Sequence, residues 1–177
     1  MIRKAELSAC GQYRWWLQRS WGDGASLVAC CLNPSMADAV VDDPTLRRLV
    51  AFAQRDGYGS LEVVNLFAWR AVRPSELGSV VDPVGPEADR WIAASVARAG
   101  RVVAAWGAPG DRYAHRVGAV VALLGEPLWC LGTTLSGQPR HPLYVPGATP
   151  LIPWVRGSAV AKPSASVATE VDSNTST

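Results

Sequence analysis

The sequence predicts an α/β domain in three layers, α/β/α, around a mainly parallel sheet of four strands. Three observations predict it. Short apolar stretches at 27–32, 61–66, 101–106 and 128–131 alternate along the chain with segments of helical spacing, the grammar of parallel strands joined by right-handed crossover helices. The run Leu27-Val28-Ala29-Cys30-Cys31-Leu32 is apolar or small throughout, as expected of a strand covered on both faces. Helix punctuation falls between the runs: Asp43-Pro44 opens one segment and Gly57 and Gly59 close it, matching the preference for Asp at the N-cap, Pro in the first turn and Gly past the end.

Taken in order, Gln12 to Arg19 is aromatic and partly alternating, which reads as a strand. Gly22-Asp23-Gly24 then turns the chain into 27–32, so these two strands could form a hairpin or an edge pair. After a polar loop, Leu46, Leu49, Val50 and Ala53 recur at helical spacing, with Arg47, Arg48 and Arg55 on other faces. Leu61 to Phe67 is the next strand, Trp69 to Pro74 leaves it as a basic loop, and 75–85 remains loop-like. A helix over 86–99 ends at Gly100, a strand over 101–107 ends in Trp106-Gly107, and a helix over about 109–124 leads to the strand 128–131. From Thr133 to Pro153 turn formers dominate. Residues 1–156 are expected to form one domain, and 157–177, rich in Ser, Ala, Thr and Val without periodicity, a disordered tail.

Composition narrows the function class. A net charge of +2 over 177 residues is too small to argue nucleic-acid binding by itself. No apolar run is long enough to span a bilayer, and no signal-peptide pattern follows Met1-Ile2-Arg3-Lys4, so a cytoplasmic protein without a membrane partner is expected. The four cysteines contain no C-x-x-C pair and only His115 and His141 could join them. Neither a metal nor a disulfide framework is indicated, and reduced, buried thiols fit better.

Parallel strands bring their carboxyl ends to one edge, and in open α/β sheets ligands bind in the crevice beyond it. Asn33-Pro34-Ser35, Asn65, Trp106-Gly107 and the Arg140-His141-Pro142 loop all fall at or after such ends. Each also has an ordinary structural reading. Asn33 before Pro34 can open a turn, Asp42 or Asp43 can cap a helix, and His141 can bond to loop backbone. Trp106 can be core. Arg47, Arg48, Arg70, Arg73 and Arg140 can be a solvated surface or can flank the crevice and contact phosphates.

Asn33-Pro34-Ser35, Asp42-Asp43-Pro44-Thr45, Val64-Asn65-Leu66-Phe67 and Pro139-Arg140-His141-Pro142-Leu143-Tyr144 occur in that order. Together, over 12–154, they resemble a bacterial family known as domain of unknown function 1643, whose name implies no activity. More distantly, the same order is similar to the uracil-DNA glycosylase superfamily, which would make the fold uracil-DNA-glycosylase-like. In that superfamily a G-x-[ND]-P-type motif holds the hydrolytic water, and Asn33-Pro34 matches its Asn form. A later strand supplies an Asn that reads the flipped base, the place of Asn65. A strand ending in W-G or L-G matches 102–107. The closing H-P-S-P-L-type loop is matched in part by His141-Pro142-Leu143, which lacks the Ser and the second Pro.

The resemblance implies a DNA glycosylase-like hydrolase acting on a flipped, damaged or modified base. Asn33 and His141 would stand at the reaction centre; beside the resemblance, an amide can position water but not take its proton, so Asp42 or Asp43 could supply the carboxylate. Pro34, Ser35, Asn65, Phe67, Arg70, Trp106, Gly107 and Arg140 would contact substrate. A side-chain amide both donates and accepts, which suits Asn65 to a pyrimidine edge. Cysteine spacing does not match branches with an iron–sulfur cluster, so no cofactor is expected; the partner would be DNA and the protein a monomer. The alternative is a non-catalytic module that holds a nucleobase or nucleic acid in the same pocket.

Overall fold

The computed structural model describes residues 1–157; the tail expected over 157–177 lies outside the described residues apart from Gly157. Ten regular elements follow one another. They are β1 (Ile2–Leu7), β2 (Arg14–Ser20), β3 (Ser26–Cys31), α1 (Pro44–Arg55), β4 (Ser60–Asn65), α2 (Ala88–Val96), β5 (Ala99–Ala104), α3 (Ala114–Leu124), β6 (Leu128–Cys130) and β7 (Ile152–Trp154). The strands form one sheet in the order β1-β2-β4-β3-β5-β6-β7.

The four expected strands form its parallel centre. β3 pairs in parallel with β4 on one side and β5 on the other, and β6 continues beside β5. The sheet nevertheless has seven strands rather than four, because antiparallel strands extend both edges: β1 and β2 beyond β4, and β7 beyond β6. β1 escaped the sequence reading because its charged residues Arg3, Lys4 and Glu6 leave little apolar alternation, as suits an edge. β7 contains Pro153 between Ile152 and Trp154, and proline is tolerated in a sheet only at such an edge.

The expected pairing of β2 with β3 does not form. Both sides of β3 are taken by parallel partners, and β2 lies antiparallel to β4 instead. The connection therefore passes the start of β4 at very close range. A Cβ on Gly59 would stand 2.2 Å from the backbone nitrogen of Gly24, and Gly59 O accepts from the N–H groups of Trp21 and Gly22 at 2.9 and 3.0 Å. Glycine is required there by the space available, not by an unusual dihedral.

Strand periodicity divides the core between the two faces. Leu27, Ala29, Cys31, Leu61 and Val63 pack under α1 through Leu46, Leu49 and Ala53. Val28, Cys30, Val64, Val102 and Ala104 pack under α2 and α3 through Ile92, Val117, Val120 and Leu124. Each fully buried aliphatic side chain contributes about 1.5–3 kcal/mol. The adjacent Cys30 and Cys31 thus serve opposite cores, and both are free thiols. α1 starts where Asp43 Oδ1 accepts from Leu46 N at 2.8 Å with Pro44 behind it. The later helices are shorter than the sequence suggests: Ala99 already belongs to β5, and a 3₁₀ turn over Asp111–Tyr113 precedes α3. Among the described residues no helix is long and apolar enough to cross a membrane.

The Gly24–Gly59 crossing predicts that Gly59→Ala destabilises the protein by about 3 kcal/mol or more, among the large single-site effects because backbone must move. Urea unfolding monitored by tryptophan fluorescence measures it, with no change in midpoint as the contrary result.

Candidate functional site

The parallel register decides where the strand ends meet. Cys31 is level with Asn65, and Cys30 with Ala104. β3 is the first parallel strand, and the chain moves from it to one side for β4 and to the other for β5, so their carboxyl ends flank a topological switch point. A cavity of about 610 Å³ opens there on the α1 side of the sheet. Cys31, Val63 and Asn65 contribute strand residues to it, Arg14 and Leu17 come from β2, and Asp43, Pro44, Leu46 and Leu49 from the start of α1. Asn33 and Ser35, Trp106 and Gly107, Arg112 and Tyr113, and His141, Leu143 and Tyr144 are among the other residues of its wall.

Asn33 has a fixed orientation. Its Nδ2 donates to Pro34 O at 3.0 Å and to Ala71 O at 2.8 Å, so both amide hydrogens are engaged. Oδ1 is left as the group it can offer a ligand, and it can only accept. Pro34 is buried beneath and does not line the cavity; its carbonyl also receives Ala71 N–H at 2.9 Å, tying the turn to the segment after β4.

His141 caps the 3₁₀ turn Pro142–Tyr144, with Nδ1 accepting from Leu143 N at 3.3 Å. In the neutral ring Nε2 then carries the proton and is the donor available to a ligand. Burial lowers the pKa of His141 below its ordinary 6.5, with the Asp43 carboxylate partly opposing this. The ring therefore stays neutral at pH 7. Because the folded protein takes up this proton later than the unfolded chain as pH falls, the group costs stability below about pH 6.5. Gly107 has φ +75°, and a Cβ there would stand 3.4 Å from His141 Cβ, so the turn after β5 brings its backbone against the histidine.

Asp43 is the one carboxylate among the lining residues. One oxygen caps α1 and the other makes no hydrogen bond within the described residues. Asp42, the other acid expected near the reaction centre, is placed elsewhere. It pairs with the fully buried Arg19 at 2.7 Å and with Arg3 at 3.2 Å, and it does not line the cavity. Phe67 is buried against Tyr113 with ring centroids 4.7 Å apart, beneath the wall rather than in it. Arg70 reaches Gly11 O at 3.2 Å, and Arg140 is exposed and holds Tyr144 O at 2.8 Å, so both brace loops outside the cavity. Trp106 does line it, while its Nε1 donates to Gln138 Oε1 at 3.1 Å and its ring meets Trp154 edge-on.

Sequence reasoning passed over Arg14 and Tyr113. Arg14 is only 4% exposed; its guanidinium donates to Ala37 O at 2.9 Å and to Asn65 Oδ1 at 3.1 Å. Burial pushes its pKa down to about 10, which leaves it charged at neutral pH. The available signal was a charge set between Tyr13 and Trp15 in a strand buried on both faces. Among the described residues no cluster of His, Cys, Asp and Glu could hold a metal ion.

The model of a family described as protein of unknown function (DUF1643) matches residues 14–143. No curated protein and no solved structure matches the chain.

Two outcomes follow from this placement. Asp42→Ala should lower stability by about 3–5 kcal/mol, the cost of leaving the fully buried Arg19 cation without its partner, yet leave ligand binding in the cavity intact; loss of binding in a stably folded variant would return Asp42 to the site. In NMR titrations, with His115→Gln to assign the signals, His141 should protonate below about pH 6.5, and Asp43→Asn should lower its midpoint further by removing the opposing carboxylate. A midpoint that rises in Asp43→Asn contradicts the described geometry.

Proposed function

The chain belongs to the family described as protein of unknown function (DUF1643), and we propose for it the activity of a glycosylase-like hydrolase. It takes a base flipped out of DNA into the switch-point cavity and cleaves the bond between base and sugar. The observation that carries this reading is the division of labour around one cavity. Asn33 presents a fixed acceptor at one strand end, Asn65 an amide at the next, and His141 a neutral Nε2–H from the loop after β6.

In such a hydrolysis the bond from C1′ to the base nitrogen breaks, its electron pair leaves with the base, and water oxygen bonds to C1′. One water proton ends on the departing base and the other stays on the new sugar hydroxyl. Positive charge therefore builds on the sugar and negative charge on the base. His141 Nε2–H is suited to stabilise the negative charge without giving up its proton. Asn33 Oδ1 can orient the water but cannot remove its proton, which leaves Asp43 as the nearby carboxylate able to accept it. The exposed Arg47, Arg112 and Arg140 supply cations for backbone phosphates outside the cavity, and a base must leave the stack before it can enter. These features are also what the more distant likeness to uracil-DNA glycosylases leads one to expect.

One observation favours the second reading, a pocket that binds a base without cleaving it: the carboxylate best placed to activate water already caps a helix. Asn33→Asp separates the two. Incubation with single- and double-stranded oligonucleotides carrying varied damaged or modified bases, followed by alkaline cleavage at abasic sites, should show base release by the wild type. Asn33→Asp, which adds a carboxylate beside the sugar, should preserve or raise that release. If both proteins are inert on every base while Asn65→Ala abolishes base binding, the binding module replaces the hydrolase.

A further inference from the structure

Three side chains that line the cavity carry a buried polar atom with no hydrogen-bond partner among the described residues: Nε of Arg14, Nδ2 of Asn65 and the hydroxyl of Tyr113. Buried polar groups are ordinarily satisfied, so three orphans in one wall point to a missing partner. The other fully buried charges show how this protein treats them. Arg19 has Asp42 at 2.7 Å, and Glu62 takes both Arg98, at 2.7 and 2.8 Å, and Trp16 Nε1. Among the described residues no carboxylate lies within ion-pair distance of Arg14; its hydrogen bonds end on the neutral oxygens of Ala37 and Asn65. Its charge is offset only at longer range, by Asp43 in the same wall, and its Nε–H is left without an acceptor.

Arg14 also decides what Asn65 can say. A guanidinium only donates, so it captures Oδ1 and leaves Nδ2 as the orphan. The amide, able in isolation to read either kind of group, is held as a donor. The cavity floor thus offers two neighbouring donors, N–H of Arg14 and N–H of Asn65. Neither atom has surface open to water, so an acceptor pair reaches the two donors as the floor side chains shift to admit it.

Among nucleobases, two adjacent acceptors occur at O6 and N7 of the 6-oxopurines and at O2 and N3 of cytosine. Adenine sets an amino donor beside N7, cytosine carries an amino donor at C4, and thymine sets a methyl group beside O4. In uracil and thymine the ring N3–H lies between the two carbonyls. The cavity, about 610 Å³, has room for a bicyclic base, which fills more of it than the single ring of cytosine does. We propose that the base taken here is a 6-oxopurine of the guanine, hypoxanthine or xanthine type, with Arg14 as a specificity-determining residue that reads it together with Asn65. This rests on the base-binding reading above and turns its pyrimidine expectation into a purine one. The guanidinium also faces the oxygen onto which the departing base spreads its negative charge.

The test measures binding of hypoxanthine, adenine, uracil and cytosine, as free bases by calorimetry and at one position of otherwise identical single-stranded oligonucleotides. The wild type should prefer hypoxanthine by about tenfold or more, the discrimination expected of one bidentate pair. Arg14→Met should erase the preference. Because Arg14→Met can also disturb folding, Asn65→Asp is the second variant. It gives Arg14 a carboxylate partner and removes the amide donor, so the protein should stay folded with an undiminished melting temperature while the hypoxanthine preference disappears. Equal or tighter binding of cytosine, adenine or uracil by the wild type, or an unchanged preference in folded Asn65→Asp, overturns the 6-oxopurine assignment and leaves base binding standing. No binding of any base in either form overturns both.

Discussion

β3 holds its place between β4 and β5, and most of what is distinctive about the molecule depends on that double parallel pairing. It buries β3 on both faces and both edges, which explains why the strand is apolar throughout and contains two cysteines serving opposite cores. The same pairing aligns three strand ends within one residue of each other, so that Asn33, Asn65 and Trp106 leave the sheet at one rim. It also forces β2 to the far side of β4, and from there the side chain of Arg14 reaches Asn65. The glycine crossing at Gly24 and Gly59 is the local cost of that route.

Buried charge is handled in two ways. Arg19 with Asp42 and Glu62 with Arg98 are closed arrangements in which hydrogen bonds and opposite charges are satisfied inside the protein. They lock the β1–β2 edge to the loop after β3, and the start of β4 to the end of α2. Arg14 is open: charged, buried, bonded to neutral oxygens, and in the wall of the cavity. The contrast matters because replacing an ion pair by apolar packing is often neutral for stability, whereas an incomplete one is not. Among the described residues two such groups are completed inside the protein, and the third stands in the cavity wall with an N–H unpaired.

The polar wall is specialised by what each group is already bonded to. Asn33 is reduced to an acceptor by two backbone carbonyls, Asn65 to a donor by Arg14, and His141 to an Nε2 donor by a backbone N–H. Three side chains that could each play either part therefore play one. Preorganisation of this kind is worth more in a desolvated cavity than in water, since the groups do not reorient when charge develops against them.

The sequence alone determined the parallel centre of the fold, because a strand covered on both faces reads as a near-continuous apolar run, as in Leu27 to Leu32, and helix ends carry chemical signals in Asp43-Pro44 and the glycines that follow. It also singled out Asn33, Asn65 and His141, since polar residues at strand ends are conspicuous after apolar runs. What it could not supply was pairing. β1 and β7 are edge strands whose stability comes from a neighbour distant in sequence, and nothing local marks β2 as the partner of β4 rather than β3. The same reason governs the site. Asp42 and Asp43 are adjacent in the chain, yet Arg19 draws one into a closed ion pair while the other reaches the cavity. Phe67 follows Asn65 by two residues and packs against Tyr113 outside the cavity. Arg14 reads as an ordinary strand arginine until the sheet sets it against Asn65, 51 residues away. Composition and periodicity report on the surroundings a residue tolerates; only tertiary structure decides which neighbour meets it.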